Sequence, residues 1–131
     1  MNLEKVVFGF FILLAATLNF GFVYGDIENP EHHHLWELLA AIVVNMIATV
    51  LKFGDRTHIG AVHLASSLAA LIQLVGAGLV WFFATQPGTS GVAAGLTPGN
   101  MASIVSLAAG AVLANIVSII IMIVETSMQR R

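Results

Sequence analysis

Long apolar runs alternate with short polar stretches along the chain, and four of these runs are long enough to cross a bilayer. A transmembrane helix needs about 20 apolar residues to span roughly 30 Å of hydrocarbon. The pattern predicts helices over residues of about 5–24, 30–53, 57–85 and 98–126. We therefore predict one integral membrane domain over residues 1–131, an all-α four-helix bundle, and we expect it to be oligomeric.

Polar residues at the edges of the apolar runs predict where the helices start and stop. Asn29-Pro30 and Thr97-Pro98 both favour a helix start, because Asn or Thr can cap the helix and Pro has no amide to leave unsatisfied. Either Asp55 or Thr57 is expected to cap the third helix. Gly54 is expected to take a left-handed conformation after the second helix.

Composition explains why so few polar residues are present. The chain is 58% hydrophobic and 9% charged, whereas a soluble domain carries about 25% charged residues. It contains no cysteine, which excludes disulfides, thiolate metal sites and cysteine catalysis. The net charge is −2 and the basic residues are isolated, so we predict no nucleic-acid partner. The predicted partner of the outer surface is the lipid bilayer.

The basic residues also predict the topology. Lys5, Lys52, Arg56 and Arg130-Arg131 all fall on one side of a four-span protein, and Lys and Arg are enriched in cytoplasmic loops. Both termini are therefore expected in the cytoplasm, with the histidine- and acid-rich loop of residues 25–34 outside.

Each predicted span has one carboxamide near its middle: Asn19, Asn45, Gln73 and Asn115. Such groups either hydrogen-bond between helices or form a polar pathway for an ion or small solute. Asn45 and Thr49 lie four residues apart, so the second helix is the expected lining helix. No Asp, Glu, Lys or Arg lies at mid-membrane, which argues against a proton-coupled transporter. His63 and Glu125, nearer the cytoplasmic edge, are expected to be structural.

Two helices have small residues at every fourth position, a spacing that favours close helix packing in lipid. The stripe in the fourth helix is Ala102, Ser106, Gly110, Ala114 and Ser118. The stripe in the third helix is Ala61, Ala65, Ala69, Gln73 and Ala77. Either stripe could pack within the bundle or form an interface between copies of the chain.

The loop before the second helix and the first turn of that helix concentrate acids and histidines: Asp26, Glu28, Glu31, His33, His34 and Glu37. Three interpretations remain open for this outer cluster, namely a solvated turn, a cation-attracting or pH-sensing cluster, and a metal site of His33, His34 and Glu37. Imidazole and carboxylate form a transition-metal ligand set, and helical spacing would pair both histidines with Glu37. We predict no cofactor.

Three stretches resemble a family of small bacterial inner-membrane proteins filed as a domain of unknown function. They are Gly25-Asp26-Ile27-Glu28-Asn29-Pro30-Glu31-His32-His33, Trp36-Glu37-Leu38 and Val50-Leu51-Lys52-Phe53-Gly54-Asp55-Arg56. The resemblance implies a bacterial cytoplasmic membrane and a link to potassium-channel and potassium-uptake genes. It supplies no catalytic residues.

The sequence contains no nucleophile–base pair, phosphate loop or membrane-depth acid, so we predict that the protein is not an enzyme. The favoured hypothesis is a small membrane subunit that oligomerises or joins a larger cation channel or transporter, with potassium as the cation implied by the resemblance. The alternatives are an autonomous homo-oligomeric channel lined by Asn45 and Thr49, and a metal-binding membrane protein that uses the outer cluster.

Overall fold

Four α-helices make up nearly all of the computed structural model, which describes residues 3–25, 33–54, 57–85 and 96–129. The helices are α1 (Leu3–Val23), α2 (Leu35–Lys52), α3 (His58–Ala84) and α4 (Pro98–Gln129). No strand occurs in the described ranges. The prediction of an all-α four-helix protein is confirmed.

The outer faces of the helices are apolar. Large side chains such as Phe10, Ile72 and Leu113 are more than half exposed, which in water would leave a large unfavourable surface. All four helices are long and apolar enough to cross a membrane. Length, composition and outward-facing apolar side chains together identify a multi-pass membrane protein.

The helices form a closed ring in which each packs against its neighbours in the chain and α4 returns to α1. Contacts at the ends show the alternating direction. The end of α1 meets the segment before α2 through Phe22 and His33, while the start of α1 meets the end of α4 through Lys5 and Glu125. This alternation brings the start of α1 and α3 and the end of α2 and α4 to the same end of the bundle.

The interior is filled by two groups of buried apolar side chains. The larger group is Phe22, Leu38, Ala41, Ala70, Leu74, Ala77, Met101, Ile104, Val105, Ala108 and Ala111. The smaller group, towards the start of α1, is Phe8, Ile12 and Ala48. Many of these positions are alanine, and small residues let membrane helices approach closely.

The starts of α3 and α4 follow the predicted capping. The Thr57 hydroxyl accepts a hydrogen bond from the Gly60 amide at 2.9 Å, and the Thr97 hydroxyl accepts one from the Asn100 amide at 3.1 Å. α4 begins at Pro98. Each threonine satisfies an amide that the first turn of a helix leaves unpaired.

α2 begins at Leu35 and not at the predicted Pro30, which lies outside the described residues. His33 and His34 precede the helix, and His34 has extended backbone angles (φ −99°, ψ 127°). The cause is tertiary. The buried His33 ring donates from Nδ1 to the carbonyl oxygen of Phe22 at 2.5 Å, which holds this segment against the end of α1 and out of helical geometry.

The predicted left-handed conformation of Gly54 is wrong. α2 ends at Lys52, and the next residue, Phe53, has a φ of −66° and donates its amide to the Val50 carbonyl at 3.2 Å. This hydrogen bond spans three residues instead of four, and it closes the last turn without a left-handed residue. Among the described residues, the one glycine with a positive φ is Gly25, at 114°.

The small-residue stripe of α4 only partly follows the buried seam. The seam recurs at steps of three and four residues: Met101, Ile104, Val105, Ala108, Ala111, Asn115 and Ser118. Positions that are four residues apart are displaced by roughly 40° around the helix at each step, so a stripe at that spacing winds around the helix. Ala102 is therefore half-buried and Ser106 exposed, while Gly110 and Ser118 touch α3 and Ala114 packs against the core.

Candidate functional site

One end of the bundle brings together a charged or titratable side chain from each of the four helices. We call this group the charged cluster: Lys5, Lys52, His63 and Glu125. Lys5 lies in the first turn of α1, Lys52 is the last residue of α2, His63 lies in the second turn of α3, and Glu125 is near the end of α4. The alternating helix direction places all four at one level.

Glu125 is shared between two helices. Its Oε1 lies 2.7 Å from the Lys5 ammonium, and its Oε2 lies 3.7 Å from Nε2 of His63. The Lys5 and Glu125 side chains are 28% and 18% exposed, whereas His63 is 1% exposed. A single carboxylate thus links α4 to α1 by a short ion pair and faces α3 across a longer gap.

The Phe8 ring contacts both His63 and Lys52. The Lys52 ammonium lies 4.3 Å from the ring centroid, a cation–π geometry. The His63 ring meets Phe8 edge-on, with centroids 5.0 Å apart and planes at 68°. Both Phe8 and Lys52 are buried, so the ring interaction contributes to holding the ammonium of Lys52 inside the bundle end.

An open pocket of about 380 Å³ reaches the charged cluster from outside. Its wall is formed by Thr57 and Ile59 of the α3 start and by Glu125 and Met128 of α4. Glu125 is the member of the cluster that lines this pocket, and it therefore connects the outside to the buried imidazole of His63.

The predicted interior carboxamides lie inside the bundle but do not bond to one another. Asn19, Asn45 and Asn115 are fully buried. Neither side-chain polar atom of Asn19 or Asn115 has a hydrogen-bond partner among the described residues, and the same holds for Oδ1 of Asn45. The Asn45 amide donates to the Ala41 carbonyl at 2.9 Å, and the Thr49 hydroxyl donates to the Asn45 carbonyl at 2.8 Å. Both of these bonds stay within α2.

Gln73 and the buried serines complete the polar interior. Gln73 is half-buried and its head group lies against Gly110 of α4. The Ser67 hydroxyl is fully buried without a partner among the described residues. Ser66 and Ser118 share a short hydroxyl–hydroxyl hydrogen bond between α3 and α4. This interhelical bond joins two serines and none of the carboxamides.

Three residues of the outer cluster are described: His33, His34 and Glu37. His33 is buried against Phe22, His34 is exposed, and Glu37 packs on α1, where a Cβ added to Gly21 would lie 2.5 Å from its Oε2. His33 and His34 both precede α2, so the helical spacing that would pair them with Glu37 does not apply to them.

The metal hypothesis depends on residues that are not all described. No group of three or more His, Asp or Glu able to hold a metal occurs within residues 3–25, 33–54, 57–85 and 96–129. Asp26, Glu28 and Glu31 of the predicted cluster lie outside these ranges.

Comparison with known families decides the classification. The model of a family described as of unknown function (DUF6394) matches residues 32–126, which is most of the chain. The chain belongs to this family. The DUF6394 match begins at the end of the stretch 25–33 that carried part of the resemblance, and it includes the second half of the chain. Lys52, His63 and Glu125 lie within it, whereas Lys5 precedes it. Searches of curated proteins and of solved structures found no match.

Sequence reasoning missed the charged cluster, although two signals pointed to it. The distribution of basic residues already placed Lys5 and Lys52 on one side of the membrane. His63 and Glu125 are within a few turns of the helix ends on that same side. What the sequence could not provide was the rotation of each helix, which decides whether these side chains meet or face lipid.

Proposed function

We propose that this protein is a small subunit of a cation channel or transport system, and that the carboxamides inside its bundle interact with the ion or small solute that passes. The observation that carries the proposal is the set of unpartnered polar atoms on the buried side chains of Asn19, Asn45 and Asn115. These three residues come from three different helices.

The energetic argument starts from the bilayer. A polar group without a partner in hydrocarbon costs several kcal/mol, and a hydrogen bond between membrane helices stabilises by roughly 0.6–2 kcal/mol. Carboxamides that serve only to join helices would bond across the interface. Asn19 and Asn115 make no such bond among the described residues. Their oxygens are the type of ligand that replaces water around a hard cation.

The surface of the bundle supports a role as part of an assembly. Ala61, Ala65 and Ala69 of α3 are exposed, and small residues favour close contact between membrane helices. A single four-helix bundle also encloses little space. We infer that the working form is a homo-oligomer or a complex with a larger transport protein, in a bacterial cytoplasmic membrane with both termini inside. Potassium is the cation that the family resemblance implies. The proposed role is transport, with no catalytic step.

Ion flux through reconstituted protein tests this proposal. The full chain is placed in liposomes and potassium flux is followed between pH 6 and 8, alongside the Asn19→Leu and Asn115→Leu variants. The matched control is Thr17→Val, because Thr17 is exposed and its hydroxyl bonds only within α1, to the Leu14 carbonyl. We expect flux above that of empty liposomes, loss of most of it in the two Leu variants, and no change in the control.

A subunit that works only in complex with a larger transport protein makes a different prediction. If the protein alone is silent, affinity capture from its native membrane must recover a transport protein, and that complex must lose flux in the Leu variants. Leu variants that conduct like the native chain would contradict the role of the carboxamides. Absence of both flux and a co-purifying transport protein would overturn the proposal.

A further inference from the structure

We propose that His63 and Glu125 form a proton-binding site, in which uptake of a proton by His63 shifts the Glu125 carboxylate from Lys5 on α1 towards the imidazolium on α3. The site lies in the charged cluster and is distinct from the interior carboxamides. It does not depend on whether the protein transports an ion.

The two distances around Glu125 define the starting state. The Lys5 ammonium and the Glu125 carboxylate lie 2.7 Å apart and form a short ion pair. The 3.7 Å gap to His63 exceeds hydrogen-bond range. A neutral imidazole gains little across that gap, whereas an imidazolium would be strongly attracted to the carboxylate. Proton uptake therefore adds an attraction towards α3 on a carboxylate that is paired with α1.

Charges on every packed helix act on His63. Glu125 of α4 favours the imidazolium, whereas Lys5 of α1 and Lys52 of α2 oppose it. Lys52 and His63 both contact the Phe8 ring, with the ammonium over its face and the imidazole plane at 68° to it. The exposed Glu4 lies one residue before Lys5 and adds a more distant negative charge. His58, the first residue of α3, is exposed.

A histidine suits a site that responds near neutral pH. Imidazole is the side chain whose unperturbed charge changes between about pH 5 and 8. His63 is therefore the member of the charged cluster whose side-chain chemistry allows it to gain a proton in this range, and Glu125 is the carboxylate that faces it.

The pocket beside Glu125 supplies the proton's route. Its wall includes the Glu125 carboxylate, while His63 is almost fully buried behind it. A proton from the pocket binds a carboxylate oxygen, passes to Nε2 of His63, and leaves Glu125 again as a carboxylate beside an imidazolium. Lys5 then loses its short ion pair, and the contact between α1 and α4 is weakened at this end.

Distance measurements on the full chain in lipid nanodiscs test the proposal. Because the chain has no cysteine, spin labels can be placed selectively at Leu3→Cys and Ser127→Cys, two exposed positions on α1 and α4 outside the pocket wall. We expect the distance between labels to lengthen from pH 8 to pH 5. The midpoint pH of this distance change should coincide with the midpoint of the His63 ring titration, which nitrogen NMR measures. His63→Gln should abolish the change, and His58→Gln should leave it intact.

A second variant tests the partner exchange itself. In Lys5→Met, Glu125 has lost its α1 partner, so the label distance should be long at both pH values. The proposal is overturned if the pH-dependent change persists in His63→Gln, if Lys5→Met keeps the short distance, or if His63 keeps one charge state from pH 5 to 8. A failed flux experiment would leave these outcomes unaffected.

Discussion

The head group of Gln73 lies directly against the backbone of α4 at Gly110. A Cβ at Gly110 would come within 2.8 Å of Oε1 and 3.0 Å of Nε2 of Gln73. Real Cβ atoms essentially never show contacts below 3.0 Å, so the absence of a side chain at Gly110 allows α3 and α4 to keep this spacing.

Gly110→Ala is expected to destabilise the bundle, because the added methyl must displace the Gln73 head group or separate the helices. Because the displaced atoms are the far end of a flexible side chain, we expect a cost of about 1 kcal/mol, the low end of the range for overpacking. Gly76→Ala is the matched control, since its Cβ would meet Leu107 at an ordinary 3.6 Å. Unfolding in mixed detergent micelles measures the stability of both variants. Adding Gln73→Ala to Gly110→Ala should restore stability, and a double variant as unstable as Gly110→Ala would contradict the proposed contact.

The Lys5–Glu125 ion pair should show a favourable coupling between α1 and α4. Both side chains are mostly buried, at 28% and 18% exposure. The expected coupling is about 1–2 kcal/mol, between the values for exposed and buried pairs. A double-mutant cycle with Lys5→Met and Glu125→Gln at pH 8 measures it. Additive effects of the two substitutions would show that the pair contributes nothing.

The Thr57 cap should matter for α3 through its hydroxyl alone. Thr57→Val keeps the shape but removes the acceptor for the Gly60 amide, and loss of such a cap costs about 1 kcal/mol. Thr57→Ser should retain native stability because it keeps the oxygen. Amide hydrogen exchange at Gly60 measures the cap locally. We expect faster exchange in the Thr57→Val variant and unchanged exchange in the Thr57→Ser variant.

Asn115→Leu is expected to raise stability even though it should reduce transport. A buried polar group without a partner costs about 1–3 kcal/mol, and Asn115 has none among the described residues. Leucine has a similar volume and no polar atoms. Thermal unfolding in detergent shows whether the substitution raises or lowers stability. The control is Ser103→Ala, at an exposed position of the same helix. A clearly destabilised Asn115→Leu variant would indicate that the carboxamide is bonded after all.

The four helices were predictable because bilayer thickness sets a minimum apolar length, and each run meets it. The caps at Thr57 and Thr97 were predictable because capping depends on neighbouring residues in the chain. The start of α2 was not predictable from Asn29-Pro30, because His33 bonds to Phe22, a contact that forms only when α1 and α2 pack together.

The candidate sites were harder to predict than the helices for the same reason. Burial of Asn19, Asn45 and Asn115 followed from their places in apolar runs, but their lack of bonds to one another depends on helix rotation and depth. The charged cluster requires four helix ends to meet at one level. A strict spacing of four likewise failed to identify the α4 seam, since the stripe turns away from the interior at Ser106.

The ion pair between Lys5 and Glu125 has a consequence for biosynthesis. Lys5 is translated with the first helix and Glu125 near the end of the fourth, so all four helices must leave the ribosome before the two can meet. A nascent chain that stops after α3 holds Lys5, Lys52 and His63 without this carboxylate. Closure of the helix ring and neutralisation of Lys5 by Glu125 are therefore one late event in membrane insertion.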